Sequence, residues 1–221
     1  MNPDARNGWR LGTHDGEPEL LAPEDAPGRG LRADWRELRV PGGLQALRGQ
    51  PLGRAVGSGA RTAVDATAGL GFDAFALAAI GLQVEAVERE PWVRALLERA
   101  HVRAAADAAL APIAARITLI ASDAREHLAV HAPVDVVLLD PMFPAKRKPD
   151  AKPPKAMQAL AAVVGSDDDA DTLLEPALRV ALQRVVVKRP RQAPPLANLE
   201  PAWTIEGKLL RFDVYRGLCK G

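Results

Sequence analysis

The sequence predicts an α/β domain built on a mostly parallel, doubly wound sheet and finished by an antiparallel hairpin. Three observations carry that expectation. Five short β-type runs alternate with helical stretches between residues 62 and 188, a glycine turn follows the first of them, and prolines interrupt the chain after the fifth. Alternation of this kind covers both faces of a parallel sheet, so its strands read as nearly continuous apolar runs.

The runs are Thr62–Asp65, Gln83–Glu88, Ile117–Ile120, Val134–Leu139 and Arg184–Lys188. Between the first two, the Ala-rich segment Asp73–Ile80 predicts a helix stopped by Gly81; Pro91 suits the first turn of another that runs to about Ala109. Ser166 and Asp169 have the spacing of a capping box for a helix over 169–183, which Pro176 should kink or restart. Pro190, Pro194 and Pro195 forbid helix beyond the fifth run. Trp203–Glu206 and Phe212–Tyr215 then read as two strands with only a short turn between them, and therefore antiparallel. Residues 1–55 form a Gly-rich, β-leaning N-terminal segment, and 56–221 the α/β domain.

Composition supports one globular chain. Of 221 residues 48% are hydrophobic and 26% charged, enough to bury a core, while aromatics make up only 4%, so Ala, Leu and Val must build that core. The single Cys219 excludes an intramolecular disulfide, and no Cys or His cluster has metal-ligand spacing, so no metal site is expected. No apolar stretch is long enough to span a membrane, which makes a cytoplasmic protein the expectation. The net charge of +1 hides segregation. Residues 1–27 hold two Arg against six acidic residues, residues 28–61 seven Arg against two, and residues 141–155 five cations against Asp150 alone. A charge run is commonly just a solvated face, but the last block directly follows a turn with chemical content.

The first strand runs into Asp65-Ala66-Thr67-Ala68-Gly69-Leu70-Gly71-Phe72-Asp73. Gly69 and Gly71 let the backbone turn tightly and approach a ligand closely. Glu88, nineteen residues after Gly69, ends the second strand, where a carboxylate accepts hydrogen bonds from ribose hydroxyls. The same spacing fits a dinucleotide fingerprint. Against a dinucleotide stands Asp73, which would put negative charge where a pyrophosphate sits on a helix N-terminus. An anionic helix start suits S-adenosylmethionine, whose sulfonium is a cation.

After the fourth strand comes Asp140-Pro141-Met142-Phe143-Pro144. Two prolines lock the turn. They do not explain an Asp at the end of a buried apolar strand, nor a Phe between prolines at the cofactor edge. Methylation of an aryl amine gives each a reason. The Asp140 carboxylate and the Pro141 carbonyl accept the two N–H bonds, which turns the nitrogen lone pair toward the methyl group, and Phe143 stacks on the base. Such a base must be flipped out or already single-stranded. Catalysis would then rest on orientation and electrostatics.

Together Asp65-Ala-Thr-Ala-Gly-Leu-Gly, Val87-Glu-Arg-Glu-Pro, Leu139-Asp-Pro-Met-Phe-Pro, Leu173-Leu-Glu-Pro-Ala, Val185-Val-Val-Lys-Arg-Pro, Ala193-Pro-Pro-Leu-Ala-Asn and Arg211-Phe-Asp-Val-Tyr resemble the RsmJ family, in consistent order over about residues 60–217. The resemblance implies a Rossmann-like class I methyltransferase fold with S-adenosyl-L-methionine as cofactor. It also implies a 16S ribosomal RNA or 30S subunit partner, methylation of a guanine N2 amine, and a monomer. By the same resemblance Phe72, Asp73, Glu88, Arg89, Ser122, Asp123 and Asp140 contact the cofactor, alongside Asp65, Gly69 and Gly71 of the glycine turn. Phe72 stands where the family commonly has Arg, and Asp123 where it has Ser. The family's N-terminal basic patch is echoed only by Arg36, Arg39, Arg48 and Arg54.

For RNA contact the expected residues are Lys146, Arg147 and Lys148, with Lys188 and Arg189 at the end of the fifth strand, Lys188 meeting guanine O6 or a phosphate. His14, His101, His127 and His131 show no common geometry in the sequence; His101 is expected on an exposed helix face. Trp9, Trp35, Trp92 and Trp203 are expected to pack. A methyltransferase of the same fold acting on DNA adenine or protein glutamine, a nicotinamide-dependent oxidoreductase, and a binding module that kept the turn remain alternatives at this stage.

Overall fold

The computed structural model describes residues 5–141, 155–165 and 170–219. Strands β1 (Arg10–His14) and β2 (Glu17–Leu21) form an antiparallel hairpin, followed by 3-10 turns at Trp35–Glu37 and Leu44–Gly49 and the short helix α1 (Pro51–Val56). The alternating region then runs β3 (Thr62–Asp65), α2 (Phe72–Ala79), β4 (Gln83–Val87), α3 (Pro91–Ala106), α4 (Ala111–Ala114), β5 (Ile117–Ile120), α5 (Ala124–Val130) and β6 (Val134–Leu139). After it come α6 (Lys155–Val164), a 3-10 turn at Ala170–Leu173, α7 (Leu174–Val180), β7 (Ala181–Pro190), β8 (Trp203–Glu206) and β9 (Leu210–Arg216). The capping-box residues Ser166 and Asp169 lie outside the described residues.

Seven described strands make one sheet in the order β5-β4-β3-β6-β7-β9-β8. The first five are mutually parallel, whereas β9 runs antiparallel to both β7 and β8. Alternate side chains of the central strands feed two cores. Ala63, Val136, Leu138 and Val186 join the layer of α2 and α3, while Val64, Val137, Leu139, Val185 and Val187 join that of α5 and α7. Chain order reverses between β3 and β6, which opens a crevice beyond their carboxyl ends.

Two boundaries differ from the sequence expectation. The helix expected to reach Gln183 ends at Val180, and the fifth strand begins at Ala181 rather than Arg184. Pairing is the reason: Ala181 lies opposite Val134 of β6, and β9 pairs β7 from Arg184 to Pro190, so a sheet neighbour on either side draws flanking residues into extended form. Pro176 sits in the first turn of α7, where its missing N–H has no helical partner to lose, so it starts that helix instead of kinking it. His101 is also corrected. Its ring meets Trp35 edge-on at 5.9 Å and Nε2 lies 3.1 Å from the Ala114 carbonyl, so it is part of the packing between α3, α4 and the N-terminal segment.

That segment shares the main core. Trp9, Leu20 and Trp35 are buried against the same cluster as Phe75, Leu77 and Leu97. Trp35, 1% exposed, stacks on Phe75 at 5.2 Å, and its Nε1–H donates to the Leu70 carbonyl at 2.9 Å, so it props the glycine turn from behind. Charge ties the hairpin to α3: Glu17 accepts from Arg99 Nε at 2.6 Å and also pairs with Arg103. The Arg99 hydrogen bond, opposed by partial burial and helped by Arg103, holds the Glu17 carboxyl down to about 2.

Replacing Trp35 by Ala should remove about 3–5 kcal/mol of stability, read by denaturant unfolding. Glu17→Gln tests the ionic tie through pH. A carboxyl depressed in the folded state stabilises fully above its unfolded pKa near 4.5 and loses that contribution as pH falls toward about 2. The gap in Tm between native and variant protein is therefore expected to be widest near neutrality and to close across that acid window.

Candidate cofactor and active site

A cleft of about 300 Å³ lies at the switch point. Its floor is the turn after β3, its walls are the ends of β4, β5, β6 and β7, and α6 flanks it through Ala156, Leu160 and Val164. The sequence-predicted cofactor residues Asp65, Gly69, Gly71, Phe72, Asp73, Glu88, Arg89, Ser122, Asp123 and Asp140 all line it, although they are spread over 75 positions of the chain.

The turn is fixed from three sides. Gly69 and Gly71 adopt φ of +55° and +78°, the left-handed region that suits glycine. The Gly69 N–H donates to Glu88 Oε2 at 2.9 Å, and the Glu90 N–H to Oε1 at 2.7 Å. Glu88 is thus oriented by two backbone donors with lone pairs left on each oxygen; burial pushes its carboxyl above the usual range against those two bonds. The Asp140 N–H donates to the Thr67 hydroxyl at 2.6 Å, which joins the end of β6 to the turn.

Four titratable side chains of the cleft, Asp65, Asp73, Asp140 and Lys188, act on one another. Lys188 Nζ lies 2.7 Å from Asp73 Oδ2 and 2.9 Å from Asp140 Oδ2. Burial disfavours its charge, but the two carboxylates outweigh burial and raise it above an ordinary lysine. Burial pushes Asp140 up, with Lys188 pulling it back and Asp73 adding to the rise. Asp65, 1% exposed, is pushed well above the carboxylate range by burial first and by Asp73 next. Its Oδ2 has no hydrogen-bond partner among the described residues, which leaves a polar atom beside the cleft for a ligand to satisfy. With one ammonium against Asp73 and Asp140, the cleft keeps a negative excess at the start of α2. It repels a pyrophosphate and receives a sulfonium.

At the other wall Asp123 caps α5 by accepting the Arg125 N–H at 2.9 Å. It is bridged by Arg125 and Arg89, each at 3.1 Å, and the Arg125 bond is the main reason that its carboxyl lies far below the usual range. Phe72 opens α2 and packs against the main core as well as lining the cleft.

Not every expected residue belongs here. Lys188 was expected to meet RNA; instead its ammonium is engaged by two carboxylates within the cleft. Arg189 is 3% exposed and donates to the Pro194 carbonyl on the opposite face of β7, because neighbouring strand residues alternate sides, so it does not present itself to RNA. Phe143, Lys146, Arg147 and Lys148 lie outside the described residues, whereas Pro141 is buried at the end of β6. The apolar flank supplied by α6 was not foreseen.

A cation-receiving cleft on this fold defines a class, the S-adenosylmethionine-dependent methyltransferases. The family model described as "Putative SAM-dependent methyltransferase" matches residues 32–217. A SAM-dependent methyltransferase from Neisseria gonorrhoeae, known from its crystal structure, superposes over 100% of this chain and 88% of its own at a TM-score of 0.71 with 29% identity. Ribosomal RNA small subunit methyltransferase J of Thioalkalivibrio sulfidiphilus is 47% identical over 209 residues, 89% of this chain and 79% of the relative. The enzyme of that name from Marinobacter nauticus is 50% identical over 173 residues, 76% of this chain and 62% of the relative. The chain belongs to the ribosomal RNA small subunit methyltransferase J family.

The two glycines separate packing from binding. A Cβ on Gly71 would fall 2.4 Å from Leu97 Cδ1 and 2.7 Å from Trp35 Cζ2, whereas on Gly69 the nearest atom is 4.0 Å away. Gly71→Ala should cost about 2–4 kcal/mol of stability from overpacking and backbone strain together. Gly69→Ala should cost about 1–2 kcal/mol from backbone strain alone, yet weaken S-adenosylhomocysteine binding measured by calorimetry.

Proposed function

We propose that this chain transfers the methyl group of S-adenosylmethionine to the N2 amine of a guanine in 16S ribosomal RNA, free or within the 30S subunit, in the cytoplasm. The observation that carries the reading is the placement of Asp140: its backbone is pinned to the glycine turn by Thr67 and its carboxylate is held on the cleft wall by Lys188. The names of the relatives supply the substrate class.

The residues present fit the cofactor. Glu88 has lone pairs that would accept from ribose hydroxyls, Asp65 offers its unpartnered oxygen, and Asp123, Arg89, Ser122 and Phe72, which line the cleft, would hold the adenine. When bound, the cofactor supplies an electrophilic methyl on a sulfonium. Asp73 and Asp140 stabilise that positive charge. Asp140 also accepts one amine N–H and the Pro141 carbonyl the other, which localises the nitrogen lone pair and aims it. Lys188 opposes the effect of burial and favours the ionised form of Asp140, whose oxygens are the stronger acceptors. From their place in the sequence after Asp140, Phe143 is assigned to stacking on the base and Lys146, Arg147 and Lys148 to neutralising backbone phosphates.

Three outcomes are expected. Asp140→Ala should lower methyl transfer to 30S particles by about 10²-fold or more, with S-adenosylhomocysteine affinity changed only a few-fold; full activity in the variant would remove Asp140 from the mechanism. Activity should fall on acidification as Asp140 takes up a proton. Because Lys188 pulls the Asp140 pKa down, Lys188→Met should move that acidic limb to higher pH. Reversing charge at Lys146 and Lys148 should weaken RNA binding and reduce the slope of log K against log salt by roughly 0.7–0.9 per lost phosphate contact. Mapping of methylated guanines in rRNA from cells with and without the gene checks the target.

A further inference from the structure

Away from the cleft, three side chains converge that the methyltransferase reading does not use. Glu85 stands in the middle of β4, and His127 and His131 stand four residues apart, on α5 and at its C-cap. Both Nε2 atoms approach the same carboxylate oxygen, Glu85 Oε2, at 2.8 and 3.2 Å, and the three donor atoms lie within 4.8 Å of one another. The imidazole rings are 5.0 Å apart, 16% and 15% exposed, with Glu85 at 38% on the open side.

We propose that Glu85, His127 and His131 bind one divalent metal ion of the zinc class. Residues at i and i+4 on a helix face the same way, so both imidazoles address one point from one side while the strand carboxylate closes it from another. A tetrahedral ion with ligands at about 2.0–2.2 Å needs donor atoms about 3.4 Å apart, close to the spacing already present. Two imidazoles and a carboxylate suit zinc and its neighbours better than magnesium or calcium, which select oxygen. The partly open side leaves room for water as a fourth ligand.

The second nitrogen of His131 has a partner as well: Nδ1 lies against the Ala132 carbonyl. Backing of one ring nitrogen by a carbonyl is the arrangement that orients a metal-bound histidine. The ion would clamp α5 to β4 directly behind the cleft, since β4 leads into Glu88 and α5 starts after Asp123.

The test uses chelator-stripped, full-length protein titrated with Zn²⁺ at neutral pH, followed by calorimetry and by thermal unfolding. One saturating equivalent and a raised Tm are expected. His127→Gln and His131→Gln, which keep a polar contact to Glu85, should each weaken Zn²⁺ binding by more than about tenfold while the metal-free variants still unfold cooperatively. Absence of stoichiometric binding to the native protein, or binding that survives both substitutions, overturns the site. So does a Tm that Zn²⁺ leaves unchanged.

Discussion

One ammonium between two carboxylates organises the functional end of this molecule. Lys188 comes from β7, Asp73 from the first turn of α2 and Asp140 from the end of β6, so a single cation joins three elements around the cleft. At these separations each attraction is about 6 kcal/mol for an effective dielectric near 20, less where water reaches Asp140. Desolvation takes several kcal/mol from each ion in return. The triad therefore adds little net stability, and its effect is positional: two carboxylates that would repel are held oriented and close.

The rest of the fold makes that placement possible. Parallel strands buried on both faces are rigid, and order reversal between β3 and β6 opens a crevice beyond their carboxyl ends. Backbone groups then fix what side chains alone would leave loose. Gly69 N–H orients Glu88, Thr67 receives the Asp140 N–H, and Trp35 holds the Leu70 carbonyl from below. The N-terminal segment contributes through Trp35 and through the Glu17 pairs with α3, so a segment with no strand in the parallel sheet still shapes the turn at its centre.

Much of this was legible in the chain. Period and punctuation gave the order of strands and helices, and the glycine turn, Glu88 and Asp140 marked the cleft because strand ends at a switch point are where a ligand must sit. Legibility failed where meaning depends on what lies opposite. The β7 boundary was set by pairing with β6 and β9, which no local propensity encodes. Lys188 and Arg189 are adjacent in sequence and looked alike, but strand alternation sends one into the cleft and the other into the opposite face. His127 and His131 carry a visible four-residue spacing, whereas Glu85 lies 42 residues before His127 and meets it only through the β4–β5–α5 crossover. The flank from α6 had no chemical signature, being Ala, Leu and Val like any core helix.

A cleft for a cation and a substrate that is a polyanion make opposite electrostatic demands, and the chain meets both by separating them in depth. Asp73 and Asp140 lie in the cleft, with Lys188 offsetting part of their charge, so the negative well is short-ranged. Three of the four arginines that echo the family's N-terminal basic patch have partners within the chain: Arg36 with Asp34, Arg39 with the Arg36 carbonyl, Arg48 with the Ile80 carbonyl. The basic block at residues 146–148, by contrast, follows Asp140 directly in the sequence. Under the proposed function, a basic block for a phosphate backbone and a negative well for a sulfonium are carried by different residues, so the two ligands do not compete for one field.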